Sequence, residues 1–147
     1  MRAATVSALL RQGRIERVEP DLEAAHSKLR EAHRHLVSAG ALAATDPEGA
    51  YVLLYDAARK ALDAHMLARG YRVSKSRLGA HEATAAYGIA TLASGKHAQD
   101  VTHFDRMRKN RNKSEYGIWV VGASTIETDV KHASGIVEAV EEDLRGT

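Results

Sequence analysis

Apolar residues recur along most of this chain at alternating steps of three and four, the spacing that gathers them on one face of a helix. The first strong stripe is Leu22, Ala25, Leu29, Ala32 and Leu36. Pro20, Asp21 and Glu23 suit a helix start and Gly40 suits a stop, which predicts a helix over residues 20–39. Ahead of it, residues 3–12 carry a fainter signal, and residues 1–18, with Arg2, Arg11, Arg14 and Arg17, fit either a short helix or a basic arm. Asp46-Pro47-Glu48 repeats the start grammar of an acceptor cap, a proline with pre-set φ and an acid in the first turn. Tyr51, Leu54, Tyr55, Ala58, Leu62 and His65 then form an inward stripe that ends at Gly70. The basic, aperiodic stretch 71–79 is predicted to be a loop.

A third periodic segment, residues 80–93, has only small groups on its stripe (Ala86, Ile89, Ala90, Ala93), and Gly88 interrupts it. A fourth helix opens near Asp100 and carries Val101, Phe104, Met107 or Arg108, and Arg111 along one side. The run 117–122 (GIWVVG) is compatible with a strand, a turn or a helix extension and stays irregular here. Ser124-x-x-Glu127 has the form of a capping box, followed by Ile126, Val130, Ala133, Val137, Val140 and Leu144. Short connections between such helices imply an all-α, up-and-down bundle of four or five helices in a single domain spanning 1–147.

Composition supports this and narrows the chemistry. Aromatic residues make up 5% and there are two prolines, which disfavours an all-β sandwich. The absence of cysteine removes disulfides, thiolate metal sites and cysteine nucleophiles. His33 and His35 point to different sides of a helix and no His-Glu-x-x-His run is present, so no metal site and no cofactor is expected. There is no apolar run of roughly 20 residues and no signal-peptide pattern, which suggests a cytoplasmic protein without membrane partners. A net charge of +2 is too small to imply nucleic acid by itself.

The cations cluster, however. Between Arg106 and Lys113 five of eight residues are Arg or Lys: Arg106, Arg108, Lys109, Arg111 and Lys113. Phe104, Arg108, Arg111 and Glu115 fall along one helical side, so two guanidiniums share a face and can grip phosphate by paired hydrogen bonds. Asn112 and Tyr116 would add donors and a stacking ring. RNA or a nucleotide is the natural ligand of such a patch. The same composition also fits a solvated basic face with Arg111 and Glu115 as a surface pair. Tyr51 and Tyr55 fit core positions and His65 a hydrogen-bonded core residue, while His81 and His103 are the histidines that could approach Arg111.

Residues 51–73 (YVLLYDAARKALDAHMLARGYRV), then Gly79-Ala80-His81, then 111–117 (RNKSEYG) and a closing amphipathic helix make the chain resemble the HEPN family of prokaryotic toxin–antitoxin and antiphage systems. That resemblance implies a four- or five-helix bundle that pairs into a homodimer. It also implies a shared cleft with two copies of an Arg-x4–6-His motif and, in active members, metal-independent cleavage of RNA. Arg111 matches the motif arginine and Asn112 its polar follower; with four intervening residues the histidine position is Tyr116. An unperturbed tyrosine, with a pKa near 10, is a poor general base. The resemblance therefore favours a module that binds RNA or nucleotide, in a toxin–antitoxin or defence context, over a ribonuclease toxin. A third reading is a protein–protein role, as partner of a nucleotidyltransferase.

Overall fold

The computed structural model describes residues 5–75, 79–117 and 120–146, apart from the Glu115 side chain. The start of the 3–12 stretch, Ile118 and Trp119 of the apolar run, and the Glu115 end of the surface pair lie outside the described residues. The elements are α1 (Val6–Arg11), β1 (Ile15–Arg17), α2 (Leu22–Leu42), α3 (Pro47–Arg69), β2 (Tyr71–Val73), α4 (Ala80–Leu92), a 3₁₀ turn (Gly95–His97), α5 (Ala98–Glu115) and α6 (Ala123–Arg145). The all-α expectation holds, with one small two-stranded ribbon added.

Helix α3 is the centre of the bundle. Ala50, Tyr51, Leu54, Tyr55, Ala57, Ala58, Ala61, Leu62 and Ala64 on it are all fully buried, and α2, α4, α5 and α6 pack around it. Its ends follow its sequence closely: the Asp46 carboxylate accepts from the Gly49 N–H, Pro47 occupies the first turn, and Gly70 closes the helix at φ +88°. The long antiparallel contact with α2 buries Ala25, Leu29, Ala32 and Ala39. From α6 come Ile126, Ala133, Val137, Val140 and Leu144, as its stripe predicts. Gly88 lets α4 lie close to its neighbours, since a Cβ there would meet Leu62 at 3.3 Å and Val101 at 3.4 Å.

Four boundaries differ from the pattern. Helix α2 is capped by Asp21, whose carboxylate accepts from Ala24 N–H, so Pro20 lies outside it, and the helix runs through Gly40 to Leu42. The stretch after Gly70 is not wholly a loop: Tyr71–Val73 pairs antiparallel with Ile15–Arg17, in the register Ile15↔Val73. This ribbon and α1 bury Leu9, Ile15, Met66 and Tyr87 as a second, smaller core, so residues 6–17 are tied down rather than a loose arm. The helix of the basic cluster opens at Ala98 after the 3₁₀ turn. Finally, α6 begins at Ala123 with Gly122 as its cap and no side-chain capping bond. Starting two residues early puts Ser124 inside the first turn, so the capping box does not form.

Candidate functional site

Helix α5 has two chemically different sides. On one side Phe104 and Met107 are fully buried, and Arg108 and Arg111 extend that face beyond them, as the four-three spacing requires. Phe104 stacks on the buried ring of Tyr55 (centroids 5.2 Å apart, planes at 15°), and the His81 ring stacks on Tyr55 as well (5.7 Å, 29°). The Tyr55 hydroxyl is 2.8 Å from His81 Nδ1. The Arg111 guanidinium lies over the Tyr55 ring, 5.9 Å from its centroid, within cation–π range. Arg108 is 14% exposed, donates from Nε to Asp105 at 2.8 Å, and places Nη1 3.8 Å from Glu82. One turn along α3 from Tyr55, Arg59 pairs with Asp63 at 3.0 Å and Asp56 at 3.6 Å.

Three guanidiniums and one imidazole thus gather around a single buried phenol. Burial pushes the His81 pKa down, and the charges of Arg59, Arg111 and Arg108 push the same way against Asp56. Burial also raises the Tyr55 phenol well above its ordinary value. At neutral pH the pair is therefore a neutral imidazole bound to a neutral phenol, surrounded by permanent cations.

The other side of α5 faces α6. His103, Arg106, Asn110 and Lys113 line a cleft of about 450 Å³, completed by Ser124, Thr125, Thr128 and Asp129. Beneath it the Tyr51 hydroxyl donates to Asp129 Oδ2 at 2.5 Å, Asn110 Nδ2 donates to that hydroxyl at 3.3 Å, and His103 Nε2 meets Asp129 Oδ1 at 2.8 Å.

The residues singled out in the sequence therefore divide. Arg108 and Arg111 come together with His81; Arg106 and Lys113 lie across the helix in the α6 cleft; Lys109 is 62% exposed and pairs with Asp105 at 3.3 Å. Asn112 is half-buried in the last turn, and its carbonyl accepts from Tyr116 N–H. Tyr116 caps the helix and is 80% exposed, so its ring belongs to the surface and not to the buried Tyr55 cluster. His103 does not share the Arg111 face, because it turns to Asp129 and α6. His65 is buried as expected, with Nδ1 2.8 Å from the Tyr87 hydroxyl and Nε2 2.7 Å from Asp143.

Sequence reasoning favoured core positions for Tyr51 and Tyr55 over a base-stacking platform and passed over Arg59 and Asp129. Two signals could have revealed them. Tyr51, Tyr55 and Arg59 repeat every four residues along α3, which lines up three polar tips, and Asp129 stands three residues after Ile126, at an inward position of an otherwise apolar stripe. No protein-family model, curated protein or solved structure matches the chain.

Proposed function

We propose that this chain is a HEPN-like module that binds RNA or nucleotide phosphate through Arg108, Arg111 and His81. The observation that carries the reading is the convergence of these three side chains on Tyr55, from helices α5 and α4 onto α3. The family motif asks for a histidine beside its arginine, and His81 supplies one from another helix although Tyr116 stands at the motif position. With the Tyr55 hydroxyl donating to Nδ1, His81 keeps Nε2–H as a donor for a phosphate oxygen, and the arginines supply charge and bidentate geometry. Arg106 and Lys113 extend the cationic surface around α5, where a longer strand would pass. No helix among the described residues is long and apolar enough to cross a membrane.

Binding of a labelled single-stranded RNA, read by fluorescence anisotropy, tests this. Arg111→Ala or Arg108→Ala should weaken affinity about tenfold or more, the scale of one lost charge-assisted hydrogen bond. Affinity unchanged from that of the unaltered chain in both variants would remove the reading. A second reading, metal-independent ribonuclease, is favoured by one feature, the neutral His81 beside guanidiniums able to stabilise phosphorane charge. Cleavage of RNA in EDTA that disappears in both His81→Ala and Arg111→Ala would establish it. In either reading the module acts as a homodimer or beside a nucleotidyltransferase. Tyr116 and Val120, 80% and 83% exposed at the turn between α5 and α6, are large apolar groups for such a contact to cover. A Val120→Lys change should lower the mass seen by sedimentation if that turn pairs two copies.

A further inference from the structure

Asp100, Asp129, His97, His103 and His132 lie together between the 3₁₀ turn, α5 and α6, apart from the Arg111 cluster. One ring nitrogen each from His103 and His132 and one carboxylate oxygen of Asp129 lie within 4.8 Å of one another. The two imidazoles stack with centroids 4.0 Å apart and planes at 26°. Asp129 is 3% exposed, and its second oxygen is held by Tyr51 at 2.5 Å. Asp100 Oδ1 meets His132 Nδ1 at 2.9 Å, and Oδ2 meets His97 Nδ1 at 3.1 Å. Among the described residues, the hydrogen-bond partners of the two carboxylates are a phenol and three imidazoles, none with a permanent positive charge. A carboxylate as buried as Asp129 is ordinarily paired with a cation or bound to a metal.

From this geometry we infer a divalent transition-metal site formed by His103, Asp129 and His132, with Asp100 as the group that orients His132. Two imidazoles and one carboxylate suit Zn²⁺ and its neighbours rather than Ca²⁺ or Mg²⁺, which prefer oxygen. Donors about 2.0–2.2 Å from a tetrahedral zinc stand roughly 3.3–3.6 Å apart. The longer separations would close by at most about 1.5 Å, while His103 Nε2 and Asp129 Oδ1, now 2.8 Å apart, would open slightly. With His132 Nδ1–H donating to Asp100 Oδ1, the lone pair of that ring sits on Nε2, the usual carboxylate–histidine–metal arrangement. Metal binding would replace the His103–Asp129 hydrogen bond, the His103 ring proton passing from Nε2 to Nδ1. His103 and Asp129 line the α5–α6 cleft, which would give an outside ligand access to a metal held there.

Gly135 gives this assembly a mark of construction. A Cβ at that position would stand 2.1 Å from Asp100 Oδ2 and 2.4 Å from its carboxyl carbon. A glycine inside α6 costs about 1 kcal/mol relative to alanine, and here it opens the space in which the orienting carboxylate sits against the helix backbone.

The metal site shares no residue with the Arg108, Arg111 and His81 cluster, and its test uses the metal alone. The full chain, stripped with EDTA and dialysed, is titrated with Zn²⁺ by calorimetry and with Co²⁺ by visible absorption. One equivalent should bind saturably, with a tetrahedral Co²⁺ spectrum. His103→Ala and His132→Ala should each weaken binding at least tenfold. Gly135→Ala, which removes no ligand, should weaken it about 10–100-fold by displacing Asp100. His97 Nε2 also approaches Glu138 at 3.5 Å and Glu142 at 3.7 Å, so a Glu138→Gln/Glu142→Gln double variant serves as the control and should bind normally. Circular dichroism of each variant confirms its fold. Absence of saturable binding in the unaltered chain would overturn the inference, as would unchanged affinity in folded His132→Ala or loss of the metal in the double glutamine variant.

Discussion

Tyr51, Tyr55 and Tyr87 each bury a whole ring and direct the hydroxyl at a titratable partner, Asp129, His81 and His65 respectively. A buried hydroxyl contributes little net stability while paired, but its partner pays the desolvation cost once the bond is removed. Tyr87→Phe should therefore destabilise the fold by about 1–3 kcal/mol in urea denaturation, because it leaves His65 Nδ1 without its donor. An unchanged midpoint would show that bond to be unimportant. The histidines also set a pH dependence. Burial holds His65, His81 and His35 below the ordinary value near 6.5. The unfolded chain then takes up protons at a higher pH than the fold does, so stability is complete above about pH 6.5 and falls as the pH drops through that region. Asp143 acts lower down: Arg69 and His65 depress its pKa, and its contribution, present above about 3.8, is lost only as the pH falls through the depressed value. The urea midpoint should decline from pH 7.5 to 5.5, and a flat profile over that range would contradict the assignment of neutral buried rings.

At the scale of the element, local chemistry was legible where a helix carries its own start and stop. Helix α3 has an acceptor, a proline, an acid and a terminal glycine in order, and it forms between those marks. Helix α6 shows how the same grammar misleads: the Ser124 and Glu127 spacing is right, yet the helix starts at Ala123 because Gly122 takes the cap position. Two substitutions separate the cases. Asp46→Ala should cost about 1 kcal/mol by removing a real cap, whereas Ser124→Ala, which breaks no capping bond, should change stability by less than about 0.5 kcal/mol. Equal costs measured by denaturation would mean that the two helix starts are misassigned. The ribbon of β1 and β2 left no readable signal, since three residues are too few for a period. Its partners stand more than fifty positions apart, and only the pairing of Ile15 with Val73 creates the strand.

For the whole molecule, the bundle follows from its stripes, but the candidate site does not, because it is assembled from α3, α4 and α5. Spacing within α5 could place Arg108 and Arg111 on one face and did so. It could not bring His81 to Tyr55 across 26 positions, nor turn His103 toward Asp129. Long-range convergence of this kind depends on how helices cross, which a single amphipathic pattern does not encode. The division of α5 into an Arg111 side and an α6 side underlies both proposals: phosphate contacts proposed at the first, and a metal proposed beside the cleft at the second. The salt dependence of RNA affinity tests the first most directly. For single strands the slope of log affinity against log salt is about −0.7 per neutralised phosphate, so the account predicts a steep negative slope that becomes shallower by about 0.7 in Arg111→Ala. A flat response, or one slope shared by the unaltered chain and the variant, would contradict it.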